Sequence, residues 1–178
     1  MAQEGIKEIK AIIGLGNPGK QYYHNRHNIG FQLVDMLASK FHGKWQAKPF
    51  MEVATITING HTVILIKPQT FMNDSGKVIS YLNKQGIKAE NILVAHDELE
   101  LPFGQIKTKQ GGSAKGHNGL KSIIAAGGDM FHRLRVGIGR PENREAVPSY
   151  VLQDFVQELP EIVELLEKAV GMIEDMFA

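Results

Sequence analysis

The spacing of apolar residues changes period several times along the chain, and each change marks a predicted element. Residues 9–15 (IKAIIGL) form a short apolar run that stops at glycine, the pattern of a strand buried on both faces. Residues 16–28 are polar and aperiodic. Residues 29–41 then place Phe31, Val34, Leu37, Ala38 and Phe41 three and four apart, one stripe of an amphipathic helix. Two alternating runs, 53–58 and 62–66, flank Asn59-Gly60, a hairpin signal because both residues tolerate positive φ. Residues 75–85 read as a helix closed by Gly86, and 92–95 as a second buried strand ending at His96-Asp97. An exposed strand over 105–109, a glycine loop over 111–116, a helix over 118–126 and a strand over 134–138 follow. From Leu159, one helical stripe carries Ile162, Leu165, Leu166, Ala169, Ile173 and Met176. Helices between strands, plus one antiparallel hairpin, predict an α/β fold: a twisted mixed β-sheet sandwiched between α-helices, in a single domain over residues 1–178.

Composition narrows the chemistry. The 178 residues suffice for one substantial core, and 43% hydrophobic with 22% charged residues is ordinary for a soluble protein. The absence of cysteine removes disulfides, thiol catalysis and cysteine-based zinc sites. No apolar run approaches the roughly 20 residues that span a bilayer, so a cytoplasmic protein without a membrane partner is expected. The net charge of +1 hides an asymmetry: residues 105–144 hold eight Lys/Arg against two acids, whereas 145–178 hold eight acids and one base. Such a split creates a local positive field in a nearly neutral protein.

Polar residues gather where strands end, which is where open α/β sheets build their sites. Gly14-Leu15-Gly16-Asn17-Pro18-Gly19 matches G-x-G-x-x-G after a strand. A dinucleotide site needs that turn to open directly into a helix; Pro18 and the polar stretch behind it do not. The glycines instead allow a sharp turn that sets Asn17 at the strand's end. Tyr22 and His27-Asn28 share the same loop, Met72-Asn73 follows the hairpin, His96-Asp97 ends a strand, and His117-Asn118 opens a helix. A single histidine in such a place usually serves structure, and a single asparagine usually caps a turn or helix; the convergence of His, Asp and three Asn points to a site. His24 and His27 with Asp97 form a rival metal set, but Arg26 between them opposes a cation and no H-E-x-x-H occurs. No G-x-S-x-G elbow marks a serine nucleophile.

Five ordered blocks, GLGNPGKQYYHNRHNIGF, KPQTFMNDSGK, VAHDELELPFG, GGSAKGHNGLKSI and FHRLRVGIGRP, resemble the signatures of bacterial peptidyl-tRNA hydrolases. The resemblance implies a monomeric, cofactor-free and metal-free esterase acting on peptidyl-tRNA at the tRNA 3′ end. It implies His27 as catalytic base, Asp97 as its partner and Asn17 as a further catalytic group. Tyr22, Met72, Asn73, His117 and Asn118 would line the substrate cleft, and Asn17 and Asn73 compete for the oxyanion. Lys107, Lys109, Lys115 and Arg135 would meet tRNA phosphates; Lys115 stands where the family usually has glycine. Two rivals remain at this stage: a non-catalytic tRNA-binding module on the same fold, and a metal-dependent peptidase.

Overall fold

The computed structural model describes residues 8–178. The first apolar run becomes strand β1 (Ala11–Gly14), whose four residues are all buried. It feeds the polar loop and then helix α1 (Ile29–Lys40). A three-residue exposed edge strand, β2 (Gln46–Lys48), precedes β3 (Met51–Ile58) and β4 (His61–Pro68). The expected hairpin turn is present, with Asn59 and Gly60 both at positive φ (47° and 82°) and Ile58 paired to His61. The helix expected over 75–85 divides into a tight 3-10 run (Met72–Val78) and a short α2 (Ile79–Lys84). Strand β5 (Ile92–Glu98) runs three residues past its predicted end, so His96 and Asp97 lie within the strand. Strand β6 (Ile106–Gln110), helix α3 (Asn118–Gly127), strand β7 (His132–Gly137), a short helix α4 (Val147–Val151) and the long α5 (Leu159–Asp175) complete the chain.

The sheet order is β2-β3-β4-β1-β5-β7-β6. The four central strands β4, β1, β5 and β7 are parallel, and the outer pairings are antiparallel. Alternation along the central strands divides the core into two layers. Ile12, Leu65 and Leu93 pack with Leu33 and Leu37 of α1 and with Leu165, Leu166 and Ile173 of α5. Ile13, Ile66 and Val94 face the other way, against Val78, Leu82, Leu120 and Ile123. The predicted stripe of α5 therefore buries as its spacing requires, with Glu158 and Glu161 forming a capping box at its start. No helix among the described residues is long and apolar enough to cross a membrane.

One close approach decides where the chemistry sits. A Cβ on Gly14 would stand 2.2 Å from the Gly30 carbonyl oxygen, and one on Gly30 would stand 2.5 Å from the Ala95 carbonyl oxygen. Only glycine lets the first turn of α1 rest on the carboxyl ends of β1 and β5. The residues just before α1 are thereby set above the end of β5.

Candidate active site

Asp97, 3% exposed at the end of β5, receives two imidazoles. His27 Nδ1 lies 2.8 Å from Oδ2 and 3.0 Å from Oδ1, and His117 Nε2 lies 2.8 Å from Oδ1. Partners fix the tautomers. His117 is the N-cap of α3: its Nδ1 accepts from the backbone N–H groups of Gly119 and Leu120 at 3.1 and 3.3 Å, so its hydrogen is on Nε2 and is donated to Asp97. The carboxylate has no hydrogen to give, so His27 donates from Nδ1, leaving the Nε2 lone pair free. Burial opposes charge on His27, but the Asp97 carboxylate and its hydrogen bond outweigh burial and hold the imidazole above its ordinary value of 6.5. Burial likewise opposes the Asp97 charge, yet the two histidines keep that carboxyl far below the ordinary range. The neighbouring His96 is pushed down to about 4, first by burial, and is therefore neutral.

The loop carrying His27 is anchored from both sides. Arg26, 4% exposed, lies 3.8 Å over the Tyr150 ring and donates to the Tyr150 carbonyl at 2.9 Å. Asn25 forms an isolated bridge with Asp154. Asn28 and Asn17 clasp each other: Asn17 N–H donates to Asn28 Oδ1 and Asn28 Nδ2 donates to the Asn17 carbonyl, both at 2.9 Å. The Asn17 side-chain oxygen accepts from Met72 N–H at 2.8 Å, which leaves the Nδ2 amide as the unspent end of that side chain.

A cavity of about 460 Å³ opens beside Asp97, bordered by His27, His117, Asn118, the 113–116 loop, and Val147, Pro148 and Val151 of α4. Its charged rim comprises Lys109, Lys115, Arg133, Arg135, Arg140 and Arg144 with Glu98 and Glu100. Arg135 bonds Glu98 at 2.8 Å and Arg140 bonds Glu100. Arg133 is buried and holds the loop, donating to the Ser113 carbonyl at 2.6 Å and to that of Gly112. Lys115 is in the left-handed region at φ 45°, a conformation that favours glycine. Asn17 borders a second groove, of about 370 Å³, with Lys20, Asp35, Glu52, Lys67 and Gln69.

The structure thus brings His27, Asp97, His117 and Asn118 around one cavity. His117, read from the sequence as a substrate residue, is in direct contact with Asp97. Lys109, Lys115 and Arg135 border the same cavity, whereas Lys107 is exposed on β6 outside its lining. Met72 is buried in the core, 5% exposed; Asn73 is exposed and Tyr22 half-buried, and neither borders this cavity. The sequence shows Arg133 only as one member of a basic stretch; its loop-holding role was missed, because its partners are backbone carbonyls that no motif announces. Arg140 and Arg144 likewise show in the sequence only as members of that stretch, without their place at the cavity.

His27, Asp97 and His117 also offer ligand atoms within 4.8 Å of one another. Their N···O separations are those of hydrogen bonds. A tetrahedral zinc site, with ligands at about 2.0–2.1 Å, spaces its donor atoms wider than these contacts. The set fits a carboxylate orienting two imidazoles better than a metal centre.

Comparison with known proteins places the chain in a family. The family model described as peptidyl-tRNA hydrolase matches residues 11–178. A peptidyl-tRNA hydrolase of Rickettsia bellii is 46% identical over 169 residues, 93% of this chain and 90% of the relative. One of Listeria welshimeri is 44% identical over 171 residues, covering 94% and 92%. Among solved structures, the peptidyl-tRNA hydrolase of Acinetobacter baumannii superposes with a TM-score of 0.83 at 35% identity, covering 98% of this chain and 97% of that one. A peptidyl-tRNA hydrolase complexed with N-propanol reaches 0.88 at 37% identity, covering 98% and 91%. The chain belongs to the peptidyl-tRNA hydrolase family.

Proposed function

We propose that this chain hydrolyses the ester joining a peptide, or an N-blocked amino acid, to the 3′ end of tRNA, with water as the nucleophile. The observation that carries the reading is the His27–Asp97 hydrogen bond, which leaves one imidazole lone pair free at the wall of a cation-rimmed cavity. His27 Nε2 takes a proton from water as the water oxygen attacks the ester carbonyl, and Asp97 stabilises the imidazolium formed. The tetrahedral intermediate collapses with loss of the ribose oxygen, which receives the proton back from His27. The products are a peptide carboxylate and free tRNA. Asn17 is favoured over exposed Asn73 as oxyanion donor because its side-chain Oδ1 already accepts from Met72 N–H, which leaves its Nδ2 hydrogens to donate. One such donor contributes roughly 3 kcal/mol in a dry site.

Lys109, Lys115 and Arg144 supply phosphate contacts, joined by Arg135 when phosphate competes with Glu98; Lys107 adds to the field from outside the cavity. Such contacts ignore sequence, which suits an enzyme that acts on many tRNAs. The described catalytic groups come from one chain, so a monomer suffices, and no step calls for a metal or cofactor. The test is incubation with an N-acetyl-aminoacyl-tRNA and with its unblocked counterpart, following release of free tRNA. Cleavage of the blocked ester alone is expected. tRNA binding without cleavage would leave a binding module, and loss of cleavage in chelator would point to a metal enzyme.

A further inference from the structure

The proposed mechanism leaves Glu98 without a task, although it directly follows Asp97 and borders the same cavity. Its surroundings are cationic. In the antiparallel pairing of β6 with β7, Lys107 stands opposite Arg135 and Lys109 opposite Arg133, and alternation sets all four on one face of the sheet. The register of β5 with β7, which pairs His96 with Arg135 and Glu98 with Gly137, sets Glu98 on that face too. Its Oε1 accepts from Arg135 Nε at 2.8 Å and its Oε2 from Glu100 N–H at 3.3 Å. Both side chains of the pair are largely buried, Arg135 being 18% and Glu98 14% exposed. Burial opposes the charge on Glu98, but these bonds outweigh it and hold the carboxyl below its ordinary 4.5. Glu98 is therefore an anion at neutral pH.

A second pair repeats the arrangement on the same rim. Arg140 bonds Glu100, both side chains are exposed, and both residues border the cavity. An ion pair this open to water adds little to stability, so holding the fold together is a poor account of it. Lys109, Lys115 and Arg144, by contrast, have no acid partner among the described residues. A phosphate that comes to Arg135 or Arg140 meets a carboxylate as well as a guanidinium. Binding of a polyanion draws strength from the counter-ions that free cations release. At these two arginines the counter-ion is part of the protein and stays behind.

We infer that Glu98, and more weakly Glu100, is a built-in counter-anion that limits how tightly the cavity holds tRNA. The inference rests on the reading above, in which this cavity receives tRNA phosphates, and assigns two acids a role in its turnover. Free tRNA, the product, carries the same phosphates as the substrate. Each contact to them therefore strengthens both complexes alike, which lowers KM without raising kcat and slows departure of the product. An acid fixed beside the arginine offsets that excess. A purely structural Glu98, one that only aims Arg135 at phosphate, makes the opposite prediction: its loss would weaken binding.

The experiment measures the Kd of uncharged tRNA by filter binding between about 50 and about 200 mM salt. Glu98→Gln keeps the shape of the side chain and an oxygen for Arg135. It is expected to lower Kd about fivefold, the effect of one charge at a partly solvated rim, and to steepen log affinity against log salt by about one unit. KM for N-acetyl-aminoacyl-tRNA should fall with Kd, with no rise in kcat. Glu100→Gln alters an exposed pair without disturbing the fold and should lower Kd about twofold. In an Arg135→Gln background, Glu98→Gln should change Kd by less than about twofold, because its partner is gone. Unchanged or weaker tRNA binding in either single variant, an unmoved salt slope in Glu98→Gln, or its full gain retained without Arg135 would overturn the inference. Cleavage of N-acetyl-aminoacyl-tRNA by the unsubstituted chain checks the esterase reading separately, because the Kd of uncharged tRNA is read without catalysis.

Discussion

Replacing Asp97 with asparagine tests the mechanism through a detail of hydrogen-bond direction. His117 cannot turn over its role, because its Nδ1 accepts from the first turn of α3 and its Nε2–H must therefore find an acceptor at residue 97. In Asp97→Asn that acceptor is the amide oxygen, which leaves the NH₂ group facing His27. An NH₂ group donates, so His27 must accept at Nδ1 and carry its hydrogen on Nε2, the atom required to be a base. The expected loss in kcat is about 10⁴-fold, the magnitude seen when the orienting acid of a hydrolytic triad becomes an amide and the wrong tautomer is enforced. A second readout follows from charge. The carboxylate outweighs burial and raises the His27 pKa above 6.5; without it burial alone remains and drives the value below 6.5. Activity of the native chain needs neutral His27, so its acid limb should rise through a midpoint above pH 6.5, and the residual activity of the variant should rise at lower pH. Single-turnover cleavage of N-acetyl-aminoacyl-tRNA from pH 5 to 9, with a melting curve to show retained fold, measures both. A loss below tenfold with an unmoved midpoint would refute the orientation argument.

His27→Ala should lower kcat at least about 100-fold with the fold retained, and normal turnover would remove the base assignment. Arg133→Ala should cost roughly 3 kcal/mol, because a buried guanidinium and its two carbonyl partners are lost together; the denaturation midpoint and proteolysis within 111–116 report it. Lys115→Gly relieves φ 45° and should raise Tm by about 2 °C, while the salt dependence of tRNA affinity becomes shallower by about one unit. A steeper salt slope would contradict a phosphate role. Asp97 also shapes stability. Its carboxyl is held below the ordinary 3.8, so its contribution is complete above that pH and is lost as pH falls through the lowered folded value. Asp97→Asn should accordingly flatten the acid limb of stability against pH, as followed by chemical denaturation.

The hydrophobic period carried most of the architecture. Strands β1, β3, β4 and β5 and helices α1 and α5 follow from runs and stripes whose burial is decided locally, by which face of each element is apolar. The missing pieces are those whose shape depends on distant partners. Strand β2 is three exposed residues with no pattern of its own, and it exists because β3 offers an edge to pair with. The 3-10 run over Met72–Val78 departs from the predicted helix where Gly76 meets α3, its N–H bonded to Ser122 Oγ at 2.8 Å and its Cα against the Ser122 carbonyl. Phe50, at φ 67° in the turn that joins β2 to β3, reverses the usual inference, because sequence patterns register which residues suit a turn and are blind to one that does not.

Charge was the least legible quantity, for a physical reason. Counting eight Lys/Arg in residues 105–144 treats each as a free cation, yet their availability is set by partners far along the chain. Arg135 is bound by Glu98, 37 residues away, Arg140 by Glu100, and Arg133 is spent on loop carbonyls. The field at the cavity is thus carried by Lys109, Lys115 and Arg144, backed by two arginines already paired with glutamates. The dyad escaped this ambiguity. A histidine in a strand-end loop and an aspartate at the end of a neighbouring parallel strand are forced together by the topology, once Gly14 and Gly30 let the helix rest on the sheet. Sequence therefore predicts which polar side chains meet when the fold has few ways to arrange the strand ends that carry them, and predicts free charge poorly when every long side chain has several partners within reach.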